Sequence, residues 1–429
     1  MSLTVILMLT GCASDSGETV ANTSGNTPAQ PAAQVPISLQ GYTSKPQAAT
    51  RGDSTLLAYR GIPDGKSIGV FAYYHQGTDS NSDGVIDTNG KWTGTEAPNF
   101  MFNQQATCST RDDAFMYSPL KYWPNTPHDK LSFIGYYPYT TTIGGDEAGD
   151  HGIKLTKDRN DAGLPAFELT VADDVAKQVD FLVSDLLTGL PNGTSAVSPS
   201  SAEGRSTLTV TDKVRLMFRH ATSKVTIRVV IADSLRQDFK SLKINKLELT
   251  NIWSKGTLAL GFTPETGTTL DVTGVPSDSL TYTVVKADPD PEKAINHIKD
   301  CCLMLPQTLA LVYDEEDPEE DLEKKKLNLA ETAKITISYS IELRSHGTVY
   351  IYDEVTGKPK ETDHYTYSNT GMLPLAKLTR KGSGTKIGAW EPNHHYVYTI
   401  RLGAKRIEFT GQVVEWGAED TWEGDVKDI

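Results

Sequence analysis

The sequence predicts an all-β protein, and three observations indicate this fold class. The segment Val214–Ile231 contains two runs in which every second residue is apolar, as in Val225, Ile227, Val229 and Ile231. Alternation of this kind is typical of strands with one buried and one solvated face. The apolar positions are rich in β-branched residues, which strands favour. The 35 glycines and 22 prolines are spread along the chain and supply the turns of a multi-stranded fold.

Further short strands are predicted on both sides of this central stretch, each bounded by turn residues. They are Ser67–Tyr74, Lys130–Tyr137, Gln178–Ser184, Leu242–Leu249, Gly256–Leu260, Leu280–Val285, Cys302–Leu305, Lys334–Leu343 and Tyr396–Leu402. A last strand is predicted at Arg406–Trp416. Its apolar residues change parity near Gly411, which predicts a bulge or bend at that glycine.

Length and charge limit the organisation and the partners of the chain. A chain of 429 residues favours two or three domains. The Ser-, Pro- and Gly-rich segment 186–212 is typical of a connection between domains, so we predict domains at 52–204 and 205–429. The net charge is −14 and no basic face stands out, which argues against a nucleic-acid partner.

The first twelve residues predict a lipoprotein signal peptide. They form an apolar run that ends in Leu9-Thr10-Gly11-Cys12, the lipobox pattern of bacterial lipoproteins. The run is too short to span a membrane and fits the apolar core of a signal peptide. The alternative is a cysteine that follows a buried run by chance. The polar tether that follows favours lipidation of Cys12, and acyl chains there would give stable membrane anchoring.

A short apolar strand follows the tether, within the segment 13–51. Val35, Ile37 and Leu39 alternate with polar residues or proline, and Gly41 is expected to end the pattern. An Arg51-Gly52 bond lies ten residues further on. One interpretation is an edge strand that stays in place. The other is a strand, Val35–Gln40, that is released when an arginine-specific protease cuts the exposed loop after Arg51.

An acidic loop predicts a calcium site. Asp79, Asn81, Asp83 and Asp87 fall in a segment that has oxygen ligands at alternate positions and a glycine at the sixth, like the first part of an EF-hand loop. The twelfth position, where a bidentate carboxylate belongs, is Gly90. The alternative is an ordinary hairpin loop rich in Asp, Asn and Gly.

The sequence gives no catalytic residues to name, and no other cofactor is predicted. It contains no GxSxG, no HExxH and no glycine-rich phosphate loop. We therefore predict that the chain is not an enzyme.

Several motifs together carry a resemblance to a known family. They are, in order, LTGC, AATRGDS, SIGVFAYY, YSPLKYWP with LSFIGYYPY, QVDFLVSD, VRLMFRHATSKVTIRV, LMLPQ, and WEPNHHYVYTIRL followed by IEFTGQVVEW. Each motif alone is weak, but their order and spacing cover nearly the whole chain. The chain resembles the fimbrillin family of surface lipoproteins that build type V pili in Bacteroidales, including its minor-fimbrillin-like branch.

The resemblance implies a fold and an assembly mechanism. It implies two transthyretin-like β-sandwich domains in tandem, a lipid anchor on Cys12 at the outer membrane, and processing after Arg51. It also implies that the strand Val35–Gln40 is removed and that a strand of another fimbrillin subunit replaces it in the fimbria. The alternative is a monomeric, lipid-anchored surface protein that binds a glycan or a host protein through loops of the sandwich.

Overall fold

The computed structural model describes most of the chain between Val35 and Glu415. The described residues are 35–43, 62–112, 114–145, 149–172, 177–190, 196–199, 206–209, 213–263, 267–275, 282–283, 295–297, 302–322, 324–352, 355–379, 385–403 and 407–415. The predicted signal peptide with Cys12, the tether to residue 34 and the predicted processing site Arg51 lie outside the described residues.

Strands make up most of the described chain, which confirms the all-β prediction. The first half contains β1 (Ser38–Thr43), β2 (Ser67–His75), β3 (Met101–Ser109), β4 (Ala114–Met116), β5 (Lys130–Tyr137), β6 (Ile153–Leu155), β7 (Ala166–Thr170), β8 (Leu182–Ser184), β9 (Leu187–Leu190), β10 (Ala196–Pro199) and β11 (Ser206–Thr209). The second half contains β12 (Lys213–His220), β13 (Ser223–Ile231), β14 (Phe239–Thr250), β15 (Lys255–Thr263), β16 (Gly267–Val275), β17 (Tyr282–Thr283), β18 (Ile295–His297), β19 (Cys302–Met304), β20 (Gln307–Thr308), β21 (Lys334–Tyr352), β22 (Pro359–Pro374), β23 (Ala389–Trp390), β24 (His394–Leu402) and β25 (Ile407–Glu415). Short 3₁₀ turns lie at Asp150–Gly152, Asp233–Leu235 and Leu375–Lys377.

The pairings of the first sheet close into a ring. The strands follow the order β2-β3-β4-β1-β12-β8-β5, and β5 pairs with β2 again, while β9 pairs with β5. The ring encloses an apolar core to which all of these strands contribute, for example Val70 of β2, Phe133 of β5 and Leu216 of β12. Because the ring is closed, each of its strands is needed to complete the ladder of backbone hydrogen bonds.

A second sheet, with the order β16-β15-β7-β6, covers the outer face of the ring. Phe71, Tyr73 and Tyr136 point outward from β2 and β5, where they pack with Phe167 of β7 and Leu258 of β15. The ring strands β2 and β5 are therefore buried on both faces. This double burial explains why their sequences are almost continuously apolar.

Two further sheets form a β-sandwich. One contains β18-β13-β24-β25 with β19 also paired to β13, and the other has the order β17-β14-β21-β22. The alternating residues of β13 and β24, such as Val229 and Ile400, pack in one core against those of β14 and β21, such as Leu249 and Ile337. This arrangement is typical of sheets packed face to face.

The central stretch Val214–Ile231 forms the two strands predicted, and its alternating apolar residues are buried. The two strands belong to different sheets, since β12 lies in the closed ring and β13 in the sandwich. Strand pairing thus crosses position 204/205, with β12 beside β1 and β15 beside β7. The domain limits 52–204 and 205–429 stay a prediction.

The last strand differs from its prediction at Gly411. The pairing of β24 with β25 runs without a register shift from His394 opposite Glu415 to Leu402 opposite Ile407. The predicted bulge was therefore wrong. A Cβ on Gly411 would lie 2.6 Å from Cδ1 of Ile387, so the glycine makes room for a neighbouring side chain instead.

Candidate functional site

The strand β1 occupies the gap between β4 and β12 in the closed ring. Its pairing with β12 is parallel and comprises six residue pairs, from Ser38 opposite Lys213 to Thr43 opposite Phe218. Its pairing with β4 is antiparallel and rests on Leu39 opposite Phe115. Among the ring strands, β1 therefore has one firmly paired edge and one weakly paired edge.

The residues before β1 are held by the loop that contains the YSPLKYWP motif. The N–H of Ile37 donates to the carbonyl of Lys121 at 2.9 Å, and the N–H of Trp123 donates to the carbonyl of Val35 at 3.0 Å. The hydroxyl of Tyr117 donates to the carbonyl of Ile37 at 2.8 Å. The segment held by hydrogen bonds therefore runs from Val35 to Thr43.

The inward side chains of this segment lie in the core of the ring. Ile37 and Leu39 are 2% and 0% exposed. They belong to the same apolar cluster as Phe115, Val214, Leu216 and Phe218. Burying each of the two large aliphatic side chains contributes about 1.5–3 kcal/mol. We call the space that this segment fills the β1 groove, and its lining is Phe115 of β4 with Val214, Leu216 and Phe218 of β12.

The bounds of the strand differ from the prediction. The sequence predicted Val35–Gln40 with Gly41 as the end, whereas β1 runs from Ser38 to Thr43 and continues through the glycine. Gly41 lies opposite Leu216 in the unbroken parallel register. The prediction failed because a glycine normally weakens a strand, whereas here the absent side chain leaves room for neighbouring rings.

The predicted processing site follows this strand closely in sequence. Arg51 comes eight residues after Thr43, the last residue of β1, and precedes the next described residue, Ile62. Cleavage after Arg51 would leave β1 without a covalent link to the remaining strands. The processing role of Arg51 stays a prediction, as does lipidation of Cys12.

The predicted calcium loop is a closed, exposed hairpin loop. The backbones of Thr78 and Thr88 exchange hydrogen bonds of 3.0 and 2.9 Å at its base. Asp79 accepts four backbone N–H groups within the loop, including those of Ser82 at 2.6 Å and Gly84 at 2.7 Å. Asp87 accepts the Ser80 hydroxyl at 2.7 Å. These carboxylates thus hold the loop backbone in shape.

The hydrogen bonds of the loop also set the charge of its carboxylates. Desolvation raises the pKa of Asp79, but the backbone donors of Gly84, Ser82, Asn81 and Asp83 outweigh it and hold that pKa below its ordinary value. Hydrogen bonds from Ser80 lower the pKa of Asp87. Both groups are therefore anionic at neutral pH.

The missing twelfth ligand of the EF-hand pattern has a steric reason. A Cβ on Gly90 would lie 2.0 Å from the carbonyl oxygen of His75, so no carboxylate side chain fits there. Among the described residues, no group of three or more His, Cys, Asp and Glu side chains is arranged to hold a metal ion. Calcium binding by Asp79, Asn81, Asp83 and Asp87 stays a prediction.

Sequence reasoning missed a buried polar group next to this loop. The Nε2 atom of His75 lies 2.9 Å from the hydroxyl of Ser132, and its Nδ1 atom lies 3.6 Å from Oε1 of Glu96. Burial lowers the pKa of His75, an effect that Glu96 partly opposes. Ser132 is 0% exposed, so its hydroxyl does not reach a substrate. No motif links these three positions in sequence, because β2, β5 and a loop bring them together.

Comparison with known proteins assigns the chain to a family. Residues 50–416 match the family described as Fimbrillin-like. The chain belongs to this fimbrillin-like family. The match starts just before Arg51, and it confirms the resemblance drawn from the sequence motifs. Family membership indicates a fimbrial or adhesive subunit. No curated protein matches the sequence.

Several solved structures match the chain over most of its length. A fimbrial protein from Bacteroides vulgatus is 16% identical with a TM-score of 0.49, over 89% of this chain and 99% of that chain. A fimbrilin from Porphyromonas gingivalis is 8% identical with a TM-score of 0.37, over 89% and 97%. A tip fimbrial protein from Porphyromonas gingivalis is 10% identical with a TM-score of 0.28, over 82% and 95%.

No helix in the described residues is long and apolar enough to cross a lipid bilayer.

Proposed function

We propose that this fimbrillin-like chain is a subunit of a cell-surface fimbria that is assembled by exchange of the strand β1. In this proposal Cys12 carries the lipid that anchors the precursor to the outer membrane. A protease cuts after Arg51, β1 leaves, and a strand from another fimbrillin subunit enters the β1 groove. The chain acts as a structural or adhesive protein without catalysis.

The observation that carries the proposal is the place of β1 in the closed ring. Loss of β1 would expose the backbone groups of Lys213–Phe218 on one side of the gap. It would also expose the apolar lining of the β1 groove, which contains Phe115 and Phe218. An unpaired strand edge beside an apolar surface is a template for another strand, which restores the ladder and covers the surface again.

Covalent attachment explains why the precursor would not assemble. While the segment after Thr43 links β1 to the chain, the effective concentration of β1 at the groove is of roughly millimolar order, so a free strand competes poorly. Cleavage removes this advantage, because a released strand is lost by dilution. The processing site therefore acts as the switch between a stable precursor and a subunit that accepts a donor strand.

The N-terminal residue of the assembled protein tests this proposal. Fimbriae are sheared from cells and the subunit is sequenced from its N-terminus. The proposal expects Gly52 as the first residue, and it is overturned if assembled subunits retain β1 and begin at Cys12.

A second candidate function is that of a lipid-anchored protein that binds a glycan or a host protein. The observation that favours it is the long hairpin of β21 and β22, where Tyr350 and Tyr352 are 67% and 76% exposed. Exposed aromatic side chains that lie close together are typical of recognition surfaces. The register of the same hairpin shifts between Arg344 and Val349, just before these tyrosines.

Substitution of these tyrosines tests the second candidate. The double variant Tyr350→Ser and Tyr352→Ser should lose binding to host cells and immobilised glycans if the hairpin is adhesive. The control is Leu322→Ser, which removes an exposed apolar side chain elsewhere on the surface. Equal binding by the double variant and the unaltered protein would exclude this role for the hairpin.

A further inference from the structure

Gly41 occupies a position in β1 where a side chain would point into the core. Ile37, Leu39 and Gly41 are all buried and lie two residues apart, so they face the same side of the strand. A Cβ built on Gly41 would lie 2.6 Å from Cε2 of Phe115 and 2.8 Å from Cε2 of Phe218. Both separations are well below an ordinary contact between carbon atoms.

The two phenylalanine rings have little freedom to move aside. Both are buried in the core of the ring. Phe218 is also close to a second glycine, because a Cβ on Gly135 would lie 3.3 Å from its Cζ atom. The ring of Phe218 thus packs against backbone on β1 and on β5. In a close-packed core such a ring shifts only at a cost in free energy.

We propose that Phe115 and Phe218 make the β1 groove specific for a strand with glycine at the position of Gly41. The segment that fills the groove must carry two large apolar residues and then a glycine, at alternate positions. Where it concerns the donor strand of a neighbouring subunit, this inference rests on the proposed function. It adds the sequence feature by which the groove recognises that donor.

The same contact fixes the register of the inserted strand. A slip by one residue would turn the apolar side chains away from the core. A slip by two residues would bring Leu39 or Thr43 against the two rings, where a Cβ does not fit. The glycine position therefore selects one register out of those that the apolar alternation alone would allow.

The uncut full chain provides the first test, which does not depend on assembly. Hydrogen–deuterium exchange is measured for the amides of residues 38–43 in Gly41→Val and in a control, Ser38→Val. Ser38 lies on the opposite face of the same strand and is partly exposed. We expect exchange in Gly41→Val to be at least about tenfold faster than in the unaltered chain, with little change in the control. Equal protection in the two variants would overturn the proposal.

A paired substitution separates a local clash from general misfolding. Gly41→Ala should loosen β1, and Phe115→Leu together with Phe218→Leu in the same chain should restore much of its protection by making room for the added methyl group. Amides of β21 and β22 serve as an internal reference, because those strands belong to another sheet. Failure of the two phenylalanine substitutions to compensate, with the reference strands intact, would contradict the proposed contact.

Peptides test the donor specificity on the full chain cleaved after Arg51. The probes are the peptide of residues 35–43 and the same peptide with Gly41→Val. We expect the first to bind at least about tenfold more tightly. Equal binding would overturn the specificity. If neither peptide binds, strand exchange and hence the proposed function are wrong, while the comparison in the uncut chain still decides the role of Gly41.

Discussion

Leu39 of β1 lies opposite Phe115 of β4, and this is the pair by which the antiparallel ladder joins the two strands. The other edge of β1 is joined to β12 by six pairs. Leu39 is fully buried among the side chains that line the β1 groove. β1 is therefore held by the packing of its inward side chains on the β4 side and by backbone pairing on the β12 side.

Replacement of Leu39 by alanine should destabilise the uncut chain. Loss of a fully buried leucine typically costs about 2–5 kcal/mol. We expect Leu39→Ala to lower the free energy of unfolding by an amount in this range, measured by urea denaturation. Ser38→Ala, on the opposite face, should change it little. Once β1 has been removed by cleavage, Leu39→Ala and the unaltered protein should unfold alike, and a difference that persists would show that Leu39 is not confined to the removable strand.

The buried His75 predicts a pH dependence of stability. Its pKa in the folded chain is lowered by burial, so below the ordinary pKa of about 6.5 the unfolded chain binds the proton more readily. The free energy of unfolding should therefore fall as the pH drops below this value. Above it, His75 is neutral in both states and this effect should be absent. His75→Gln retains a polar partner for Ser132 and should flatten the loss between pH 7.5 and 5.5, as measured by urea midpoints. An identical pH profile for the variant would contradict this assignment.

The sequence was sufficient to predict the class of fold and many strand positions, because alternation reports which face of a strand is buried. Several strands were missed, among them β3, β7 and β22. Lys130–Tyr137 was predicted with its observed bounds. Alternation does not report which strands are neighbours. The assignment of β12 to the ring and of β13 to the sandwich depends on contacts between residues far apart in sequence.

The two glycines at strand positions show where local rules failed. Gly41 was predicted to end a strand and Gly411 to mark a bulge or bend, yet both strands continue through the glycine without a register shift. In each case the reason is a neighbouring side chain in the space of the missing Cβ: Phe115 and Phe218 for Gly41, and Ile387 for Gly411. These neighbours are distant in sequence, so the local sequence around each glycine does not reveal them. The polar group of His75 and Ser132 was missed for the same reason.

Lipidation of Cys12 should hold the precursor in the membrane fraction. Cys12→Ala removes the thiol that would carry the lipid, so the protein should be absent from the membrane fraction and recovered unlipidated. Ser14→Ala leaves the lipobox intact and should fractionate like the unaltered protein. Surface anchoring of Cys12→Ala at the normal level would remove the lipoprotein assignment.

The acidic loop predicts a metal-dependent stability. If Asp79, Asn81, Asp83 and Asp87 hold calcium, a chelator should lower the melting temperature, because an ion bound only to the folded state stabilises it. Asp83→Ala should abolish the sensitivity to chelator, and Asp112→Ala, an exposed carboxylate outside the loop, should preserve it. The absence of a chelator effect on the unaltered protein would leave the loop as an ordinary turn stabilised by its own hydrogen bonds.

Cleavage after Arg51 should convert a stable precursor into a subunit that accepts a donor strand. The purified unaltered chain and Arg51→Ala are treated with an arginine-specific protease, and multimers are followed on a native gel. Arg51→Ala should keep the folding and melting temperature of the precursor, because it changes only the predicted processing site. We expect multimers from the unaltered chain and none from Arg51→Ala. Equal multimer formation by the two proteins would contradict it.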